Sequence, residues 1–199
     1  MSSDRPMSLR FPIAFVLSLI CLVVPTWADF KAGENAYHRG DYATALREWR
    51  PLAEQGESRA QFHLGLLYAD GQGVPQDYVQ ARQWYEKAAV QGDASAQLNL
   101  GDIYGNGKEV PEDYQLALYW FRLSAYQGNA MAQTKLGLMY ERGSGVPQDV
   151  VLAHKWYILG AASGDKSGVE HRDALAKKMT PAQIFQAQQR AREWKPKSK

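Results

Sequence analysis

The side chains that could carry chemistry are few and scattered. His38, His63, His154 and His171 offer no pair at the i, i+4 spacing that would set two imidazoles on one helix face, so no metal site is expected. Cys21 is the only cysteine, which leaves the remainder of the chain without a thiol nucleophile, a disulfide or a thiolate metal site. Ser144 has no hydrolase elbow around it. Gly71-Gln72-Gly73 and Gly143-Ser144-Gly145 lack the third glycine of a dinucleotide loop and follow no strand pattern. Gly101 to Lys108 comes close to phosphate-loop spacing, but the first glycine is one place off, and Glu109 stands where serine or threonine would hold magnesium. Asp77, Asp113 and Asp149 recur at a fixed interval, where acid–base catalysis would call for one convergent pair. No catalytic residue and no cofactor are expected.

The interval is the main signal. Gln-Gly or Ser-Gly closes a segment at Gly56, Gly92, Gly128 and Gly164, defining unit one (57–92), unit two (93–128) and unit three (129–164), each 36 residues long. Ala60, Gln61, Leu64, Gly65, Tyr68 and Gly71 of unit one return as Ala96, Gln97, Leu100, Gly101, Tyr104 and Gly107, and again as Ala132, Gln133, Leu136, Gly137, Tyr140 and Gly143. Val74-Pro75 and Asp77 recur likewise, as do Ala81, the aromatic pair Trp84-Tyr85 and Ala89.

Each unit reads as helix, turn, helix. Positions 60, 64, 67 and 68 fall at helical spacing, as do 77, 81, 84, 85, 88 and 89. Gly71 sits where a left-handed cap ends a helix, and Pro75 with Asp77 supplies start signals for the next. One hairpin has too little interior to stand alone, so neighbouring units must stack and bury their aromatic pairs between them. The fold class expected is an all-α solenoid. On this reading the paired aromatics are core, and Trp84→Ala should cost about 3–5 kcal/mol.

The 36-residue pattern is flanked by different material. Arg5 and Arg10 precede an uncharged apolar run from Ile13 to Val24, then Pro25 and Thr26-Trp27-Ala28. That is the layout of a cleavable secretory signal, expected to be cut after Ala28; the run is short of the roughly 20 residues of a membrane span, so a retained anchor is the weaker reading. Lipidation at Cys21 is disfavoured because Ile20 precedes it. The mature protein is therefore expected in the periplasm or secreted, touching membrane only through this transient segment. Residues 29–56 read as a diverged first hairpin without the proline loop, a terminal capping repeat with helices over Phe30 to His38 and Tyr42 to Glu54. After Gly164 the period lapses and basic side chains outnumber acidic ones nine to four. Thr180-Pro181-Ala182-Gln183 is a capping box opening a helix to about Trp194, so 165–194 should form capping helices, with 195–199 a solvated basic tail. The formal net charge of the whole chain is only +2, which argues against nucleic acid as the partner.

With these motifs laid out, the chain resembles the Sel-one-like repeat family, relatives of the tetratricopeptide repeats. The matching pattern is Ala-x-x-x-Leu-Gly-x-x-Tyr, then Gly-x-Gly-Val-Pro-x-Asp, then Ala-x-x-Trp-Tyr and a closing Ala-Ala-x-x-Gly, carried by residues 57–164 in three copies. The departures are Glu109 for the second loop glycine of unit two, and Ser124 and Gly160 for the first alanine of the closing pair. The resemblance implies a right-handed α–α superhelix of antiparallel hairpins, first helices along the concave face, and service as an adaptor or scaffold. Cysteine-rich relatives linked to cell-wall compounds are pinned by disulfides that this chain lacks, and that link is not carried over.

Positions that differ among the three units are those the repeated shape leaves free. In the first helix they are 59, 62, 63, 66 and 70, which at about 100° per residue point to one side. Unit one offers Arg59, Phe62, His63, Leu66 and Asp70; unit two Ser95, Leu98, Asn99, Asp102 and Asn106; unit three Met131, Thr134, Lys135, Leu138 and Arg142. Apolar side chains mixed with polar ones on this face suggest a groove for a protein or peptide. The reading is a non-catalytic binding scaffold of the cell envelope; the alternative is an enzyme, or an enzyme activator, acting on cell-wall material.

Overall fold

A computed structural model describes residues 29–107 and 110–196. The signal reading and Glu109 fall outside these residues. Ten helices occur among the described residues: α1 Phe30–His38, α2 Tyr42–Glu54, α3 Ser58–Asp70, α4 Tyr78–Val90, α5 Ala94–Asn106, α6 Tyr114–Tyr126, α7 Ala130–Arg142, α8 Val150–Ala162, α9 Lys166–Ala176 and α10 Pro181–Glu193. Each of α1 to α8 packs on the next, and α10 returns onto α8.

The caps explain why the units start and stop together. Asp77, Asp113 and Asp149 each accept backbone N–H groups of the following turn through a side-chain oxygen, holding α4, α6 and α8 at their first residue. Glu57, Asp93 and Asn129 do the same for α3, α5 and α7. Gly71, Gly107 and Gly143 end the first helices with positive φ, a conformation that costs an L side chain strain. The turn then closes when Asp77, Asp113 and Asp149 donate their backbone N–H to Tyr68, Tyr104 and Tyr140 carbonyls, 2.9 Å each.

Within a hairpin the two helices touch at a glycine and a ring. A Cβ built on Gly65 would meet the Tyr85 ring at 2.6 Å, on Gly101 the Phe121 ring at 2.5 Å, and on Gly137 the Tyr157 ring at 2.6 Å. Trp49 fills the same role in the first hairpin, against Gly33. The aromatic pairs thus divide their work differently from the expectation. Tyr85, Phe121 and Tyr157 are buried, while Trp84 and Trp120 are half-buried and only Trp156 is fully enclosed. Trp84 packs one flank on the first hairpin and receives the Lys87 ammonium 3.8 Å above its ring. Deleting it therefore removes less buried surface than the sequence suggested, and the cost of Trp84→Ala falls below the about 3–5 kcal/mol of an enclosed ring.

Between hairpins the joint is a glutamine. Gln61, Gln97 and Gln133 are buried and donate from Nε2 to the carbonyls of Ala53, Ala89 and Ala125, near the C-terminus of the preceding unit's second helix. Their Oε1 atoms accept from Gln91, Gln127 and Ser163 at the end of their own unit's second helix. One side chain so ties three helices, repeating every 36 residues. Beyond Gly164 the register persists half a unit further than expected: α9 starts 36 residues after α7 and is capped by Asp165 as α7 is by Asn129.

Candidate functional site

Two clefts open along the first helices, and they are copies of one another. The first is lined by Leu66, Ala69, Asp70, Tyr78, Ala81 and Tyr85 of unit one with Asn99, Asp102 and Ile103 of unit two. Adding 36 to each number gives Asp102, Gly105, Asn106, Tyr114, Ala117, Phe121, Lys135, Leu138 and Met139, all of which line the second cleft together with Arg142 and Ser144. The repeat dictates the geometry. An alanine and an aromatic ring from the second helix make the floor, two successive first helices make the walls, and the tyrosine that opens the second helix stands at the rim. The clefts hold about 270 and 120 Å³, room for single side chains more than for drug-sized ligands of about 300 Å³ or larger.

Most of the residues expected on the free face are here, but not all of them. Leu66, Asp70, Asn99, Asp102, Asn106, Lys135, Leu138 and Arg142 line one cleft or both. Arg59 and Met131 lie exposed at the N-terminal ends of α3 and α7, Arg59 over the Phe30 ring and 3.8 Å from Glu34. Leu98 and Thr134 are corrections. They are 5% and 3% exposed, and Phe62 at the same register is half-buried against Tyr85. This position sits on the flank of the stripe, where the first helix meets its neighbours. The Thr134 hydroxyl occupies the space a Cβ on Gly160 or Gly168 would need, so its identity varies because its partners do. His63 is likewise turned away, stacked on Trp49 at 4.4 Å, with Phe30, Tyr37 and Phe62 around it and its Nδ1 buried without a hydrogen-bond partner.

Tyr78 and Tyr114 line the clefts and were not picked out from the sequence. Both are 41% exposed. The signal was present, since a tyrosine follows the capping aspartate at 42, 78 and 114 and gives way to Val150 only in unit three. The neighbouring Glu112 carboxylate raises the pKa of the Tyr114 hydroxyl.

Charge changes along the groove. Asp70 stands at the first cleft, Lys135 donates to Asp102 at 2.6 Å between the two, and Arg142 stands at the far end of the second. Among the described residues no group of three histidine, aspartate or glutamate side chains is placed to hold a metal ion, and no helix is long and apolar enough to cross a membrane.

Stacked helical hairpins with a cleft regenerated at two successive joints define a helical-repeat scaffold, the kind of architecture that mediates contacts between proteins. The Sel1 repeat family matches residues 58–93, 94–129 and 130–165, more than half of the chain, and the protein belongs to that family. The chain is similar to the crystal structure of a Sel1 repeat protein from Oxalobacter formigenes, at 35% identity and a TM-score of 0.60, over 65% of this chain and 98% of that one. It is also similar to c5321, described as a protective antigen present in uropathogenic Escherichia coli strains and displaying an SLR fold, at 32% identity and a TM-score of 0.53. That match spans 82% of this chain but only 44% of the antigen. Among curated proteins no sequence matches it.

Proposed function

We propose that the protein is a non-catalytic scaffold of the cell envelope that binds a peptide segment of another protein in the groove along α3, α5 and α7. The observation that supports this reading is the pair of side-chain-sized clefts repeating at the 36-residue period, each floored by apolar atoms and rimmed by a half-exposed tyrosine. Neighbouring helices in such stacks sit roughly 10 Å apart, about the span of three residues of extended chain. A bound segment would seat two apolar side chains some three positions apart, with a basic group toward Asp70 and an acidic one toward Arg142. Placement in the envelope is supported by the signal-like N-terminus, and the concave position of the groove by the family resemblance.

Selection from a displayed library of linear peptides tests the reading. Selected peptides should share two apolar positions at that spacing. Tyr114→Ala combined with Arg142→Glu should weaken them at least about tenfold, or 1.4 kcal/mol, while the helical circular dichroism and melting temperature stay unchanged. Selected peptides that ignore both substitutions would remove the groove from consideration.

A further inference from the structure

The joint between α8 and the two C-terminal helices breaks the pattern of the other joints. Extending the register one more unit places Arg172 of α9 where Leu64, Leu100 and Leu136 stand, each at most 1% exposed. It also places His154 of α8 where Leu118 fills the preceding unit. One apolar position of the repeat, that of Leu64, Leu100 and Leu136, is therefore polar here, while the position of His154 already varies, with Arg82 in unit one. α10 begins at Pro181, earlier than the register would start a second helix, and does not fill the space. A cleft of about 580 Å³ remains, within the roughly 300–1,000 Å³ range of small-molecule sites.

Its lining mixes apolar and polar side chains on all three helices: His154, Ile158 and Leu159 from α8, Arg172 and Asp173 from α9, Ile184 and Arg192 from α10. His154 is 3% exposed and its Nδ1 is buried without a hydrogen-bond partner, so the imidazole walls the cleft and offers it no free donor. Arg172 engages Asp173 through Nε at 2.8 Å. Setting that carboxylate against the two guanidinium groups leaves one positive charge in excess, which suits a single anionic group better than a dianion.

We propose that this cleft binds a small amphipathic monocarboxylate. Arg172 and Arg192 hold the carboxylate, and the hydrocarbon body lies along Ile158, Leu159 and Ile184. The site is separate from the peptide groove and does not rest on it.

Calorimetric titration of the whole protein with octanoate, near neutral pH, tests the assignment. One saturable site is expected, with octan-1-ol binding at least about tenfold more weakly because the arginine fork has no anion to grip. Arg172→Leu restores the leucine of the repeat, so it should weaken octanoate about tenfold or more while the melting temperature holds or rises. Arg192→Gln, on the exposed rim, should weaken it as well without touching the packing. Absence of saturable octanoate binding overturns the proposal. So does octan-1-ol binding as tightly as octanoate, or unchanged affinity in Arg172→Leu and Arg192→Gln.

Discussion

At the scale of single residues, the contrast between two glycines of α5 shows how far type alone can be trusted. Alanine favours a helix over glycine by about 1 kcal/mol, so both Gly101→Ala and Gly105→Ala look stabilising by propensity. A Cβ on Gly101 would lie 2.5 Å from the Phe121 ring, whereas one on Gly105 meets nothing nearer than the Ala117 Cβ at 3.5 Å. Urea denaturation should accordingly show Gly101→Ala losing about 1–3 kcal/mol through overpacking and Gly105→Ala gaining up to about 1 kcal/mol. His63 supplies a pH test. Burial holds its imidazole below the ordinary value of 6.5, with Glu34 raising it and Arg59 lowering it to a smaller extent. The unfolded chain takes up the proton first, so the stabilisation is complete above pH 6.5 and is lost as pH falls below it. Comparing denaturation midpoints at neutral pH and about pH 5.5, the wild type should lose more stability than His63→Phe, which keeps a ring on Trp49 but cannot titrate. Equal losses would mean that His63 does not carry the acid sensitivity. Neither effect is visible without the fold, because the ring that meets Gly101 comes from another helix and the cage around His63 from another hairpin.

At the scale of the helices, the boundaries were written plainly. Glycine caps, Val-Pro and the aspartates recur in register, and even α1 and α2 of the diverged first hairpin could be drawn from their capping residues. The stacking joints were less legible. Gln61, Gln97 and Gln133 stand out as repeated, but repetition does not say that they reach across to a carbonyl eight residues earlier. The free face was legible along its centre, at 66, 70 and their copies, and misleading at its edge, where Leu98 and Thr134 differ between units because each fits its own neighbours. The glutamine joint is directly testable. Gln97→Met keeps the side-chain length but leaves the Ala89 carbonyl and the Gln127 amide without their partner, so it should cost about 1–3 kcal/mol. An unchanged midpoint in thermal unfolding would show that the joint is held by apolar contacts alone.

At the scale of the whole molecule, each hairpin touches only its neighbours in sequence, so stability should be a sum over units and joints and should not be shared evenly. The C-terminal end is where this matters most. α10 covers α8 with Ala187, which is fully buried, and Trp194 sits edge-on to Trp156 at 6.0 Å. The sequence announced α10 through its capping box and as a cap on the last repeat, but not that it leaves the polar cleft beside it. Ala187→Glu places a carboxylate in that contact with no partner and should lift α10 from α8. Hydrogen exchange is then expected to show faster exchange in α8, α9 and α10, while α3 to α6 keep their protection, because α10 packs chiefly on α8. Protection lost to the same degree from α3 to α10 would mean that the units fold and unfold as one block. The groove along α3, α5 and α7 could not then be treated as a platform that stays formed while its C-terminal end opens.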